Sequence, residues 1–309
     1  EALSKKYMDY MSIVAHGNNA RKMERRRTDL LTSIQTAKRD AGRLKPFQGD
    51  ATLRDAYVQY FGLLHTVFNE DYGKIVNMEE IAEQSYDNME AYLLAQEKAY
   101  EKLSEAAEKK ALVFKIFALN HHVTLVDAEE DKLSKKLRQA SHVNVYYRRI
   151  YLIFFKNVKQ EAYAIVAMEK KDVNAIEQNR SALVKFSQEG LLALDTLKGY
   201  KGDGSLITAC RKLLEFYKSE AENNFPGLRD YFVKADEFAK TKKSLDSKPQ
   251  SQLTAAEIEY YNKSIDEMNK ASMAYNKTNL ELNKMRSKVM THWNETSRRF
   301  LDTHIPYSK

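Results

Sequence analysis

The 309-residue chain is 43% hydrophobic and 30% charged, so it has material for a sizeable core and is no disordered tail. Its formal charge of +7 is mildly basic, but lysines and arginines alternate with acids along the chain, the pattern of a solvated, salt-bridged helical surface. One cysteine, Cys210, excludes an internal disulfide, and no run of about 18 apolar residues is present to cross a membrane.

Only 4 prolines and 10 glycines occur, and Pro46, Pro226, Pro249 and Pro306 all fall where the helical pattern already pauses. That scarcity predicts long helices rather than a turn-rich sandwich or barrel. In chain order, the pattern predicts a first helix over 2–43 with a hesitation at 16–19. A loop holding Gly49-Asp50 follows, then a second helix over 51–71 and a long third segment over 77–119. After a break at 120–126, a helix beginning near Asp127 runs on into the second half of the chain. There the segments 172–197, 204–223, 227–244 and 253–301 complete the pattern.

The two halves match. LKPFQGDATL from Leu44 lies over LKGYKGDGSL from Leu197 at an offset of 153, and Tyr10, Glu24, Arg27 and Leu30 fall on Tyr163, Glu177, Arg180 and Leu183. SHVNVYYRR from Ser141 matches THWNETSRR from Thr291 at an offset of 150. The expectation is an all-α protein of two tandem helical-bundle units, spectrin-like or elongated, without a sheet. The units would be 1–155 and 156–309, joined by a continuous buried helix near 128–168. Within that helix, residues 146–155 are apolar nearly all round, which fits either a weld between the copies or an aromatic binding platform.

The last helix carries the clearest periodicity, with Ile258, Tyr261, Ile265, Met268, Tyr275, Leu282, Val289, Trp293 and Phe300 on one seam. Ser272, Asn279 and Arg286 share it. Asn262, Asn269, Asn276 and Asn283 flank the seam every seven residues and are expected to hydrogen-bond at its edge.

Catalytic and metal signatures are sparse. A di-iron bundle needs Glu-x-x-His on two helices, and none of the seven histidines has a glutamate three residues before it. There is no His-x-x-x-His pair and no Cys cluster, so no cofactor or metal is expected and the chain reads as non-enzymatic. Cys210 reads as a small buried hydrophobe, and His121 and His122 as loop residues. One glycine per loop is no phosphate cradle. Gly49 and Gly202 instead allow the turn after a helix, and Asp50 and Asp203 cap the next one.

Arg21, Lys22, Arg25 and Arg26 make a broad basic face on the first helix, a candidate anion-binding patch without the interleaved aromatics of a specific nucleic-acid reader. Arg27 and Arg180 sit instead on apolar stripes, with Met23, Leu30 and Ile34 in one copy and Ile176 and Leu183 in the other. Each is expected to be buried and paired with an acid from another helix, Glu79 or Glu80 in the case of Arg27.

The stretches AHGNNARKMERRR from Ala15, LKPFQGDATLRD from Leu44 and NEDYGKIVNMEEIAEQSYDNMEAYLLAQEKA from Asn69 resemble a family of exported helical proteins of spirochaetes and Bacteroidetes, the Leptospira-type surface proteins or lipoproteins. The resemblance implies export to the periplasm or the outer-membrane surface, with a signal or lipid-anchor segment upstream of Glu1. It carries no functional residues. The expected role is a scaffold or binding module whose partner is a protein or an envelope polymer. The alternatives are an intracellular helical adaptor and a polyanion binder using the basic first helix.

Overall fold

The computed structural model describes residues 2–16, 20–125 and 132–307. They form ten α-helices: α1 Ala2–His16, α2 Ala20–Gly42, α3 Thr52–Thr66, α4 Tyr72–Ala82, α5 Tyr86–Asn120, α6 Lys132–Glu169, α7 Val173–Asp195, α8 Ser205–Ser219, α9 Phe225–Asp246 and α10 Ala255–His304. The fold is all-α, and no strand occurs among the described residues.

The chain divides into two compact units. The first is Glu1–Leu152 with Arg298–Lys309, and the second is Ile153–Ser297. The division at 155/156 read from the sequence followed the repeat along the chain, whereas the compact units assign the last twelve residues to the first unit.

In the first unit, Tyr10, Leu30, Ile34, Leu64, Phe68, Ile75 and Leu103 form one buried cluster fed by α1 to α5. Phe68 is the hub. It meets Tyr7 and Tyr10 edge-on at 5.3 and 5.8 Å and stacks on Tyr72 at 5.0 Å. In the second unit, Ile176, Leu183, Leu206, Cys210, Leu213, Tyr217 and Phe225 are buried. Phe154 stacks on Trp293 at 4.3 Å. Cys210 is therefore the core hydrophobe its sequence context suggested, and burial pushes its thiol up to about 12.

The two expected loops adopt one geometry. Phe47 and Asp50 exchange both backbone hydrogen bonds at 2.9 Å, as do Tyr200 and Asp203. The central residues have φ of 52° and 86° at Gln48-Gly49, and of 50° and 90° at Lys201-Gly202. Two successive left-handed residues make the mirror-image type I turn, which glycine enters without the Cβ cost that Gln48 and Lys201 incur. Asp50 and Asp203 lie one residue before the N-caps Ala51 and Gly204 rather than at them, and each accepts at 2.8 Å from the first N–H of the following helix, at Thr52 and Ser205. Asp50 also receives a 2.8 Å hydrogen bond from His121 Nε2, the main reason its carboxyl is held down at about 2.

The second and third predicted segments are divided differently from the sequence reading. Between α3 and α4 the helix does not stop at 71 but passes through a π-turn, Val67–Asp71. The chain then breaks at Ser85, whose hydroxyl accepts from the Asn88 N–H and starts α5. A π-turn, Glu220–Asn224, likewise joins α8 to α9. From α2 to the start of α4 every helix and π-turn boundary recurs 153 residues later, from α7 to the start of α9.

The seam of α10 is buried along its C-terminal half, with Leu282, Trp293 and Phe300 at 4% exposure or less. Its beginning is not, since Ile258 is exposed. Within the second unit α10 meets α9 through Tyr275 stacked on Tyr231 at 4.3 Å and Tyr261 stacked on Phe238 at 5.8 Å. The four regularly spaced asparagines are exposed, and Asn283 accepts a 2.5 Å bond from Arg286. Asn283 thus makes the hydrogen bond at the seam's edge that the spacing suggested.

Candidate functional site: a tyrosine-lined cavity in the first unit

Six helices of the first unit line a cavity of about 500 Å³. Five contribute residues at helical spacing. α1 gives Tyr10, Met11 and Val14, α2 gives Met23, Glu24 and Arg27, and α4 gives Tyr72, Ile75 and Ala82. From α5 come Met89, Tyr92, Leu93 and Gln96, and from α6 Asn144, Tyr147, Arg148 and Tyr151. Glu83, just past α4, and Leu301, on α10, complete the lining. The volume suits a small molecule, and a mostly apolar wall with a few polar groups is the usual composition of a ligand site.

The ionisable groups of this wall divide into committed and uncommitted ones. Arg27 lays Nε and Nη2 against both carboxylate oxygens of Glu24 at 2.9 and 2.7 Å. That fork lowers the Glu24 carboxyl and raises the Arg27 guanidinium. Nη1 of Arg27 donates to the Phe68 carbonyl at 2.8 Å. This carbonyl is available because of the π-turn: the N–H of Tyr72, four residues on, is diverted to the Val67 carbonyl. In the second unit the N–H of Phe225 is diverted to Glu220 in the same way. Arg180 forks onto Glu177 with a closest approach of 2.5 Å and comes within 3.5 Å of the Ala221 carbonyl, the limit of a hydrogen bond.

The expected partners for these arginines therefore need correcting. Each pairs with the glutamate three residues back on its own helix, where a bidentate fork forms without bringing in a second helix. The side chains of Glu79 and Glu80 lie outside the described residues. Burial is partial, with 14% of the Arg27 side chain and 23% of that of Arg180 exposed. A second helix does reach Glu177, but through Arg229 of α9, which donates to it at 3.0 Å.

Arg148 is the uncommitted cation. It is partly buried, and among the described residues no hydrogen bond or ion pair engages it. Loss of water pulls its guanidinium below the ordinary arginine value, against the pull of Tyr72 and Glu97 nearby. Three tyrosines of the wall, Tyr10, Tyr72 and Tyr151, are held protonated. Burial raises Tyr72 to about 12 and raises Tyr10 and Tyr151 further. They are hydrogen-bonding and stacking surfaces rather than bases.

The basic patch of Arg21, Lys22, Arg25 and Arg26 lies exposed on α2. Arg26 is shared between Asp9 and Asp29 at 3.9 and 3.8 Å. His142 and His292 are both exposed. Among the described residues no group of three or more His, Cys, Asp or Glu side chains is arranged to hold a metal ion, and no helix is long and apolar enough to cross a membrane.

Sequence reasoning missed a second polar cluster. In the second unit, Arg286 of α10 bridges Glu161 of α6 and Glu220 at the start of the π-turn, the latter at 2.5 Å. Glu220 is fully buried and Glu161 is 5% exposed. Burial, and then the neighbouring Glu161, raises the Glu220 carboxyl to about 9, which favours its protonated form at neutral pH. The available signal was Arg286 itself, a charge on an apolar seam, which requires buried acids opposite it. Arg148 was legible in the same way, as a charge inside a segment apolar nearly all round. No family model, curated protein or solved structure matches the chain.

Proposed function

We propose that the protein is a non-enzymatic binding module of the bacterial envelope and that the cavity of the first unit is its ligand seat. The observation that carries this reading is a small-molecule-sized space lined by six helices, walled by tyrosines and methionines and holding Arg148, which no hydrogen bond or ion pair engages among the described residues. A partly buried guanidinium that gives up water without a hydrogen bond or close ion pair is costly to the folded state, so its retention favours a partner that arrives from outside. Other titratable groups of the wall fit binding better than proton transfer, because Glu24 is committed to Arg27 and Tyr10, Tyr72 and Tyr151 are pushed away from neutral pH.

The envelope location rests on the resemblance to exported helical surface proteins, and the two units are read as one tandem duplication. The shared 153-residue spacing of helices, turns, π-turns and Arg–Glu forks supports that descent. On this reading ligand binding is a property of the first unit, and the buried Arg286 cluster reflects divergence of the second.

Native mass spectrometry after incubation with a small-molecule extract of bacterial envelopes tests the seat. The native protein should retain a bound mass, whereas Val14→Trp, placed at the exposed part of the wall, should fill the cavity and lose it. Equal retention by both proteins would move the site elsewhere. Fractionation of cells carrying the gene from its natural start tests the location, and a purely cytosolic product would contradict it.

A further inference from the structure

The chemistry of the cavity wall narrows its ligand. We propose that the cavity takes a small amphipathic anion, with a single carboxylate or similar oxyanion seated on Arg148 and an apolar body against the tyrosine and methionine wall. This rests on the reading of the cavity as a ligand seat, and it adds the charge and the shape of what binds there.

Two charges of the wall cancel locally, since Glu24 is forked onto Arg27. Of the remaining two, Glu83 is exposed and Arg148 is partly buried. An oxyanion reaching Arg148 would gain a charge-assisted, bidentate hydrogen bond in a place that water reaches poorly. Tyr72 faces the same guanidinium and remains a hydroxyl donor for the second edge of a carboxylate. Tyr92 and Met89, three residues apart on α5, present the flat and pliable apolar surface an aromatic or short aliphatic body requires.

Glu83 and the nearby Glu97 decide against a polyanion. A polymer or a multiply charged headgroup would bring further negative charge past these carboxylates, whereas one terminal charge on an apolar body meets only Arg148. The inference thus differs from polyanion binding on the exposed face of α2, which would use many cations and no cavity.

Isothermal titration calorimetry on the full chain with two matched pairs, decanoate against decanol and naphthoate against naphthylmethanol, tests it. The acid of at least one pair should bind at one per chain and roughly ten- to a hundredfold tighter than its alcohol, the scale of one charged hydrogen bond. Arg148→Met should abolish that preference while leaving alcohol binding in place, and Arg148→Lys, which restores the charge, should recover part of it. Circular dichroism and melting of both variants establish that they fold. If acid and alcohol bind equally well, or if the Met variant keeps the preference, the anion inference fails while the ligand seat stands. If no member of either pair binds the native protein, both fail.

Discussion

At the residue scale, the same side-chain type carries different weight in its two settings. Arg27 holds Glu24, which is 49% exposed, so Arg27→Ala leaves that carboxylate in water. The loss is a partly exposed pair and one bond to a backbone carbonyl, and urea unfolding should read about 1–2 kcal/mol. Arg286 is the opposite case. Arg286→Met leaves the buried Glu161 carboxylate without a counter-charge and should cost about 3–5 kcal/mol. Similar losses for the two variants would show that the burial of Glu161 and Glu220 does not control the energetics. Both arginines could be picked out in the sequence as charges on apolar stripes, but stripe position does not say which acid answers. Helical spacing placed Glu24 beside Arg27, and only the fold placed Glu161 and Glu220 beside Arg286.

At the scale of elements, helix content and the paired Gly-Asp loops followed from glycine and proline placement and from the 153-residue offset. The π-turns did not, because a π-turn leaves the apolar period almost intact and shifts it by a single residue. Pro226, which has no N–H to return to the preceding turn, was the nearest signal in the second unit, and the corresponding Gly73 offers none. The turns themselves make a direct prediction. An added Cβ at Gly49 or Gly202 meets nothing within 4 Å, so only the backbone conformation opposes it. Gly49→Ala and Gly202→Ala should each cost about 1 kcal/mol in thermal unfolding, and equally in the two loops. A cost near zero would contradict the left-handed geometry.

At the scale of the whole molecule, Glu220 sets an unusual dependence of stability on pH. Its carboxyl is raised from 4.5 to about 9 in the folded state, so between those values the folded chain holds a proton that the unfolded chain has released. Stability therefore falls as pH rises through this window, by at most about 1.4 kcal/mol per unit. Glu24 and Glu177 are lowered by their arginines and act in the opposite sense, losing stability as pH falls below the ordinary glutamate range. The melting temperature should thus peak near pH 5. Glu220→Gln, a neutral isostere, should flatten the alkaline side of the profile and exceed the native protein in stability at pH 8. An unchanged profile would mean that Glu220 is ionised in the folded protein.

The tyrosine cavity could be read from the sequence only in part. Residues 146–155 stood out as apolar nearly all round and as a candidate aromatic platform, but a space between six helices is a property of how they pack. The segments that close it are far apart in the chain, from Tyr10 to Tyr151. The central claim, that this space is a ligand seat organised around Arg148, is tested most directly by a crystal structure of the protein grown with naphthoate. The account predicts density for one molecule inside the cavity, with its carboxylate within hydrogen-bonding distance of the Arg148 guanidinium. An empty cavity in crystals with naphthoate bound elsewhere, or a bound molecule whose carboxylate points away from Arg148, would contradict it.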